Sequence, residues 1–155
     1  MIPSFTSLPG APWAVLPPGE HLATFKEIES KLAFNPHRKK LFDGLLKAAE
    51  LLAKAGCQYL YLDGSYVTEK ENPSDFDGCW DAVNVNFGAL HPILKDFSNG
   101  REAQKNFFGG ELFPNGRESG SGLLFKEFFQ REKRTGLPKG IIIVDLKSEF
   151  PGEFI

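Results

Sequence analysis

Apolar residues recur at helical spacing through the second quarter of the chain, where Leu41, Phe42, Leu45, Leu46, Ala49 and Leu52 fall on one face. Asn35 is placed to cap this helix, Pro36 takes its first position, and Gly56 stops it after about Ala55. Thr24 and Glu27 form a capping box that opens a preceding helix running to about Phe34. After Gly56 the period changes. Gln58 to Leu62 is aromatic and aliphatic and ends at Asp63-Gly64, which predicts a strand closed by a tight turn. Ser65 then opens a short helical turn through Lys70, and alternation from Asp75 to about Val85 predicts a second strand.

Further along, Leu90 to Phe97 and Arg101 to Phe108 read as short helices separated by Ser98-Asn99-Gly100. Residues 109 to 122, with their glycines and Pro114, read as a long loop. Leu123 to about Lys133 reads as a helix, residues 135 to 140 as a turn, and Ile141 to Leu146 as a buried strand. The first twenty residues carry Pro3, Pro9, Pro12, Pro17 and Pro18 among apolar anchors such as Phe5, Trp13 and Leu16. They predict a proline-rich arm over residues 1–20, either docked on a single domain over residues 21–155 or disordered up to about Ala14. The expected class is α/β (α+β), with a small mixed sheet packed against helices.

Chemistry concentrates around the first tight turn. Gly64 lets the backbone approach a ligand closely, and Ser65 offers a hydroxyl and amides to a phosphate. Thr68 and Lys70 lie in the following loop, within reach of the same phosphates. Asp75 and Asp77 are two apart on a strand and so share a face; two carboxylates in one cleft repel unless cations neutralise them. Hard oxygen ligands of this kind suit Mg²⁺ or Mn²⁺. Asp145 is a lone acid in an apolar strand, which predicts either a metal ligand or a position at a cleft.

Each feature has a plainer reading, since a Gly-Ser turn is often only a turn and an Asp-x-Asp only a solvated strand face. A calcium loop starting at Asp75 fails, because its sixth position would be Trp80 and its twelfth Asn86. Asp81 lies too far along the strand and reads as structural, and Asp63 as a cap of the turn. His21, His37 and His91 lack metal-ligand spacing. Lys126, Arg131, Lys133, Arg134 and Lys139 form the only dense basic stretch.

Gly64, Ser65, Asp75, Asp77 and Asp145 together resemble the signature of the nucleotidyltransferase superfamily that includes DNA polymerase beta. The resemblance implies that Asp75, Asp77 and Asp145 hold two divalent metals (Mg²⁺ or Mn²⁺) while the Gly-Ser turn holds nucleotide phosphates. A longer set of segments is similar to a family of small, uncharacterised bacterial proteins regarded as nucleotidyltransferase-like. It includes residues 16–21, Glu27-Ile28, Asn35-Pro36-His37-Arg38, Gly56-Cys57, residues 63–68 and residues 75–81. That resemblance implies the minimal nucleotidyltransferase fold and leaves the substrate open.

Composition narrows the partners. A formal charge of -2 gives no general attraction to nucleic acid, so an RNA contact would need a local basic patch. No apolar run approaches membrane-spanning length and no signal-peptide core is present, so a cytoplasmic location and no membrane partner are expected. Cys57 and Cys79 are isolated and read as reduced core thiols.

The resulting expectation is a metal-dependent enzyme that moves a nucleoside monophosphate from a nucleoside triphosphate to a hydroxyl acceptor, which could be a small molecule, a tRNA end or a protein. Size and fold suggest by analogy a place in a toxin–antitoxin pair. The alternatives are a non-catalytic nucleotide-binding or antitoxin-like module and a small metal-dependent phosphohydrolase.

Overall fold

The computed structural model describes residues 1–154; Ile155, the last residue of the expected domain, lies outside the described residues. Five strands form one mixed sheet in the order β1-β5-β2-β3-β4. They are β1 (Gly19–Leu22), β2 (Tyr59–Asp63), β3 (Phe76–Trp80), β4 (Gly110–Pro114) and β5 (Gly140–Asp145). β2 runs antiparallel to both its neighbours, whereas the outer pairs β1–β5 and β3–β4 are parallel. The class is therefore mixed α and β, as the pattern of the chain predicts.

Alternation divides each strand between two faces. Leu60 and Leu62 of β2, Phe76 and Trp80 of β3, Leu112 of β4 and Ile142 and Val144 of β5 enter the main core. Helices α1 (Phe25–Leu32), α2 (Pro36–Lys54) and α5 (Leu146–Glu149) supply its other half through Ile28, Leu32, Leu45, Ala49, Leu52 and Leu146. The expected starts of α1 and α2 are realised: Thr24 and Glu27 make a capping box, and the Asn35 side chain accepts from the Arg38 amide with Pro36 next to it. The second face carries Tyr61, Cys79 and Ile141 under Phe113, Phe125 and Phe129.

Two strands differ from expectation. β4 lies inside the segment read as a loop, because its Gly110 and Pro114 look like loop residues; yet a Cβ at Gly110 would sit 2.4 Å from the Phe76 ring, so glycine is what lets β4 pair with β3. β1 straddles the expected boundary at residue 20, joining the arm to the sheet beside β5. The arm docks, with Ile2 and Leu16 in the core, Thr6 bridging Val15, and Val15 bridging Thr68.

Several helices are shorter than their patterns. The turn at Ser65 is a 3₁₀ turn over Ser65–Val67, and the chain is extended by Thr68. β3 ends at Trp80 because the Asp81 carboxylate accepts from the Val83 amide and Asn84 takes a positive φ of 67°. Residues Pro92–Lys95 form only a 3₁₀ turn. α3 (Ser98–Phe108) starts within the expected separator, and Asn99 and Gly100 there are left-handed, as is Arg101, the first residue of the expected helix. α4 is limited to Phe125–Phe128, after which Glu132 turns the chain by accepting from the amides of Arg134 and Thr135. Among the described residues no helix is long and apolar enough to cross a membrane.

Candidate functional site

The acids gather at one end of the second face. β2 and β3 pair with Asp63 opposite Asp77, and β3 and β4 pair with Asp77 opposite Glu111. Three neighbouring strands therefore set Asp63, Asp77 and Glu111 in a row across the sheet, since residues in register share a face. Asp75 precedes β3 by one residue, and it raises the proton affinity of Asp77 by charge.

The Gly-Ser turn is pressed against this row. Gly64 has φ 81°, and a Cβ there would lie 2.5 Å from Asp77 Oδ2, so both conformation and space require glycine. Ser65 follows immediately and is half-exposed. The structure thus brings together Gly64, Ser65, Asp75 and Asp77, all singled out from the sequence.

Asp145 is a correction. It pairs with Tyr59 at the start of β2, four residues from Asp63, which is about 13 Å along the sheet at roughly 3.3 Å per residue. Its carboxylate accepts from the Lys147 amide and the Ser148 hydroxyl, capping α5. Alternation assigns Asp145 to the correct face, but β5 runs antiparallel to β2 and carries it to the wrong end. Thr68 is likewise structural: it is buried, its hydroxyl donates to the Ser65 carbonyl, and it accepts from the Lys70 amide. Lys70 sits over the Trp13 ring, with its Nζ 4.7 Å from the centroid, and its charge reaches Asp75.

Sequence reasoning missed Glu111, because it was hidden in the unrecognised β4. It also missed the cations around it. Arg101 Nε donates to Glu111 Oε2, and Lys105 Nζ lies 3.6 Å from the same oxygen. Asp63 is buried in an ion pair with Lys139, a closer role than a cap. The other basic residues of that stretch disperse: Lys126 pairs with Glu20 at 3.6 Å and Arg134 lies over Trp13. The three histidines hold backbone groups at Pro17, Pro73 and Ile93.

Electrostatics separate the members of the row. Burial, then the charge of Asp75 and contact with Glu111, push the Asp77 carboxyl up to about 8. Asp75 is raised by burial and by Glu111, with Lys105, Lys70 and Arg101 opposing. Burial also pushes Glu111 up, but the hydrogen bonds with Arg101 and Asp77 outweigh it and hold this carboxyl below its ordinary range. Asp63 is raised by burial against the pull of Lys139. Positive charge is therefore supplied to Asp63 and Glu111 and is short at Asp77.

Asp75, Asp77 and Glu111 offer only oxygen donors, the kind that a hard divalent cation takes. As the side chains stand, no three His, Cys, Asp or Glu among the described residues converge closely enough to hold an ion. Glu111 is turned to Arg101 instead.

No curated protein and no solved structure matches the chain. A family model matches residues 11–145, from the arm that lies along the Gly-Ser loop to the end of β5, and so takes in every acid of the row; the chain belongs to the Family of unknown function (DUF6932).

Proposed function

We propose that the protein is a metal-dependent nucleotidyltransferase, moving a nucleoside monophosphate from a nucleoside triphosphate to a hydroxyl acceptor. The observation that carries the reading is the contact of the Gly64-Ser65 turn with Asp77, beside Asp75 and opposite Glu111. A phosphate-binding turn and a carboxylate pair in contact are what the nucleotidyltransferase resemblance requires of these residues. Glu111 takes the place in the acid set that the sequence alone offered to Asp145.

In this reading Asp75, Asp77 and Glu111 would hold Mg²⁺ or Mn²⁺, which would supply positive charge against the transferring phosphate. The chain's own residues do the rest. The Gly64-Ser65 turn and the Ser65 hydroxyl fix the phosphates, and Lys70, Arg101 and Lys105 balance their charge. Buried Asp63, tied to Lys139, holds the end of β2 under the turn. A cytoplasmic location and a role in a toxin–antitoxin pair belong to the same proposal. The acceptor is a small molecule, an RNA end or a partner protein.

The pairing of Glu111 with Arg101 and Lys105 favours a second reading, a nucleotide-binding module without turnover, because it already neutralises one of the three acids. Calorimetry separates the possibilities. Each nucleoside triphosphate is titrated with Mg²⁺ or Mn²⁺ into the wild type and into the variant carrying Asp75→Ala and Asp77→Ala. Binding is expected in the wild type and lost in the folded variant, and equal binding in both overturns the assignment. Pyrophosphate release with a labelled acceptor indicates transfer, whereas binding without product indicates the module.

A further inference from the structure

The chain between β2 and β3 is longer than these antiparallel neighbours need, since about two residues can join such a pair. The excursion runs from Gly64 to Asp75, so it begins at the proposed phosphate turn and ends at the carboxylate pair. Beyond Ser65–Val67 it has no regular structure of its own. Something else must hold it.

Arg38, in the first turn of α2, is fully buried. Its Nε donates to the Lys70 carbonyl at 3.0 Å, and Nη1 donates to the carbonyls of Leu32 at 2.9 Å and Tyr66 at 2.7 Å. Nη2 reaches the carbonyls of Ser65 at 3.3 Å, Thr68 at 2.7 Å and Lys70 at 2.6 Å. The guanidinium also lies over the rings of Phe34 and Tyr66, at 4.4 and 5.1 Å from their centroids. Among the described residues it pairs with no carboxylate, which is unusual for a charge removed from water.

Its neighbours extend the same grip. The Asn35 side-chain amide donates to the Glu71 carbonyl at 2.7 Å, and His37 Nε2 meets the Pro73 carbonyl. On the other side the Glu69 amide donates to the Ala14 carbonyl of the arm at 3.1 Å. In a trans peptide the N–H points opposite to the C=O. Drawing the Ser65 carbonyl to Arg38 therefore turns the Tyr66 amide away from it, on the peptide that follows the Ser65 side chain.

We propose that the Asn35–Arg38 turn is the positioning element of the phosphate-binding loop, with the Arg38 guanidinium setting the peptide orientations from Ser65 to Lys70 that a nucleoside triphosphate requires. This rests on the nucleotidyltransferase reading of the site. A lysine keeps the charge but has no planar fork, so it cannot hold this set of carbonyls at once. The role is positional, since Arg38 itself is buried away from any ligand.

The test uses Arg38→Lys and His37→Ala in the full chain, with three readouts: amide hydrogen exchange, affinity for Mn²⁺ alone, and affinity for the nucleoside triphosphate that the wild type binds. In Arg38→Lys, exchange over residues 65–71 is expected to quicken about tenfold while β2, β3 and β5 stay protected. Nucleotide affinity is expected to fall about ten- to a hundredfold with Mn²⁺ affinity unchanged, and His37→Ala gives a smaller loss in the same direction. Unchanged nucleotide affinity with a loosened loop overturns the proposal, as does a parallel loss of Mn²⁺ affinity, which marks a scaffold role only. If Arg38→Lys does not fold, His37→Ala decides by the same criteria. A wild type that binds no nucleotide overturns the nucleotidyltransferase reading and this role with it, an outcome separate from the others.

Discussion

One face of the sheet is apolar along its length, whereas the other changes character from end to end. The first face buries Leu60, Leu62, Trp80, Ile142 and Val144 against α1, α2 and α5. The second carries an aromatic cluster around Tyr61, Phe113, Phe125 and Phe129, and beyond it the row Asp63, Asp77 and Glu111. The same strands thus serve opposite ends. Burial on the first face lowers the free energy of folding, while the acid row raises it, because Asp77 has three acidic neighbours, Asp75, Glu111 and Asp63, and too little compensating charge. A site of this kind depends on stability generated elsewhere, and the comparison predicts that the two faces answer differently to substitution.

The largest effect is expected in the apolar face. Leu52→Ala removes a fully buried side chain of α2 and should cost about 2–5 kcal/mol in chemical denaturation. Nucleotide affinity per folded molecule should not change. A cost of a few tenths, or a selective loss of binding, would break the division between the faces.

The acid row should respond to pH instead. The folded Asp77 carboxyl holds its proton up to about 8, whereas an unfolded one gives it up near 3.8. The native state therefore binds more protons between these values, and the metal-free protein should lose stability as pH rises through this window. Denaturation midpoints measured across it should fall for the wild type and stay flatter for Asp77→Asn. A wild-type midpoint that climbs with pH contradicts the assignment.

The smallest effect belongs to Asp145→Asn. The substitution keeps a side-chain acceptor for the Lys147 amide and removes a charge from the start of α5, so the expected cost is under about 1 kcal/mol. Nucleotide binding should be unaltered. If binding collapses, the third acid is Asp145 and Glu111 is not.

The legible and illegible parts of the molecule differ by range. α1 and α2 could be read because caps and apolar spacing act within a few residues, as Thr24, Asn35 and Gly56 do. The approach of Gly64 to Asp77 was legible because two adjacent strands and the excursion between them carry Gly64, Ser65, Asp75 and Asp77. β4 was concealed by Gly110, whose reason lies in the Phe76 ring across the strand pair. With β4 went Glu111 and its partners Arg101 and Lys105. No local spacing marks the role of Arg38, since none of the excursion carbonyls it holds is near it in the chain.

Legible in the chain alone were the mixed α and β class, the starts of α1 and α2, the shared face of Asp75 and Asp77, and the turn beside that pair. Those follow from short-range spacing and from the two-residue period of a strand. Which end of a sheet face each acid occupies was not legible, because strand direction and register are set by partners far along the chain. Antiparallel pairing with β2 sets Asp145 beside Tyr59, away from the acid row, and parallel pairing with β3 sets Glu111 in that row beside Asp77.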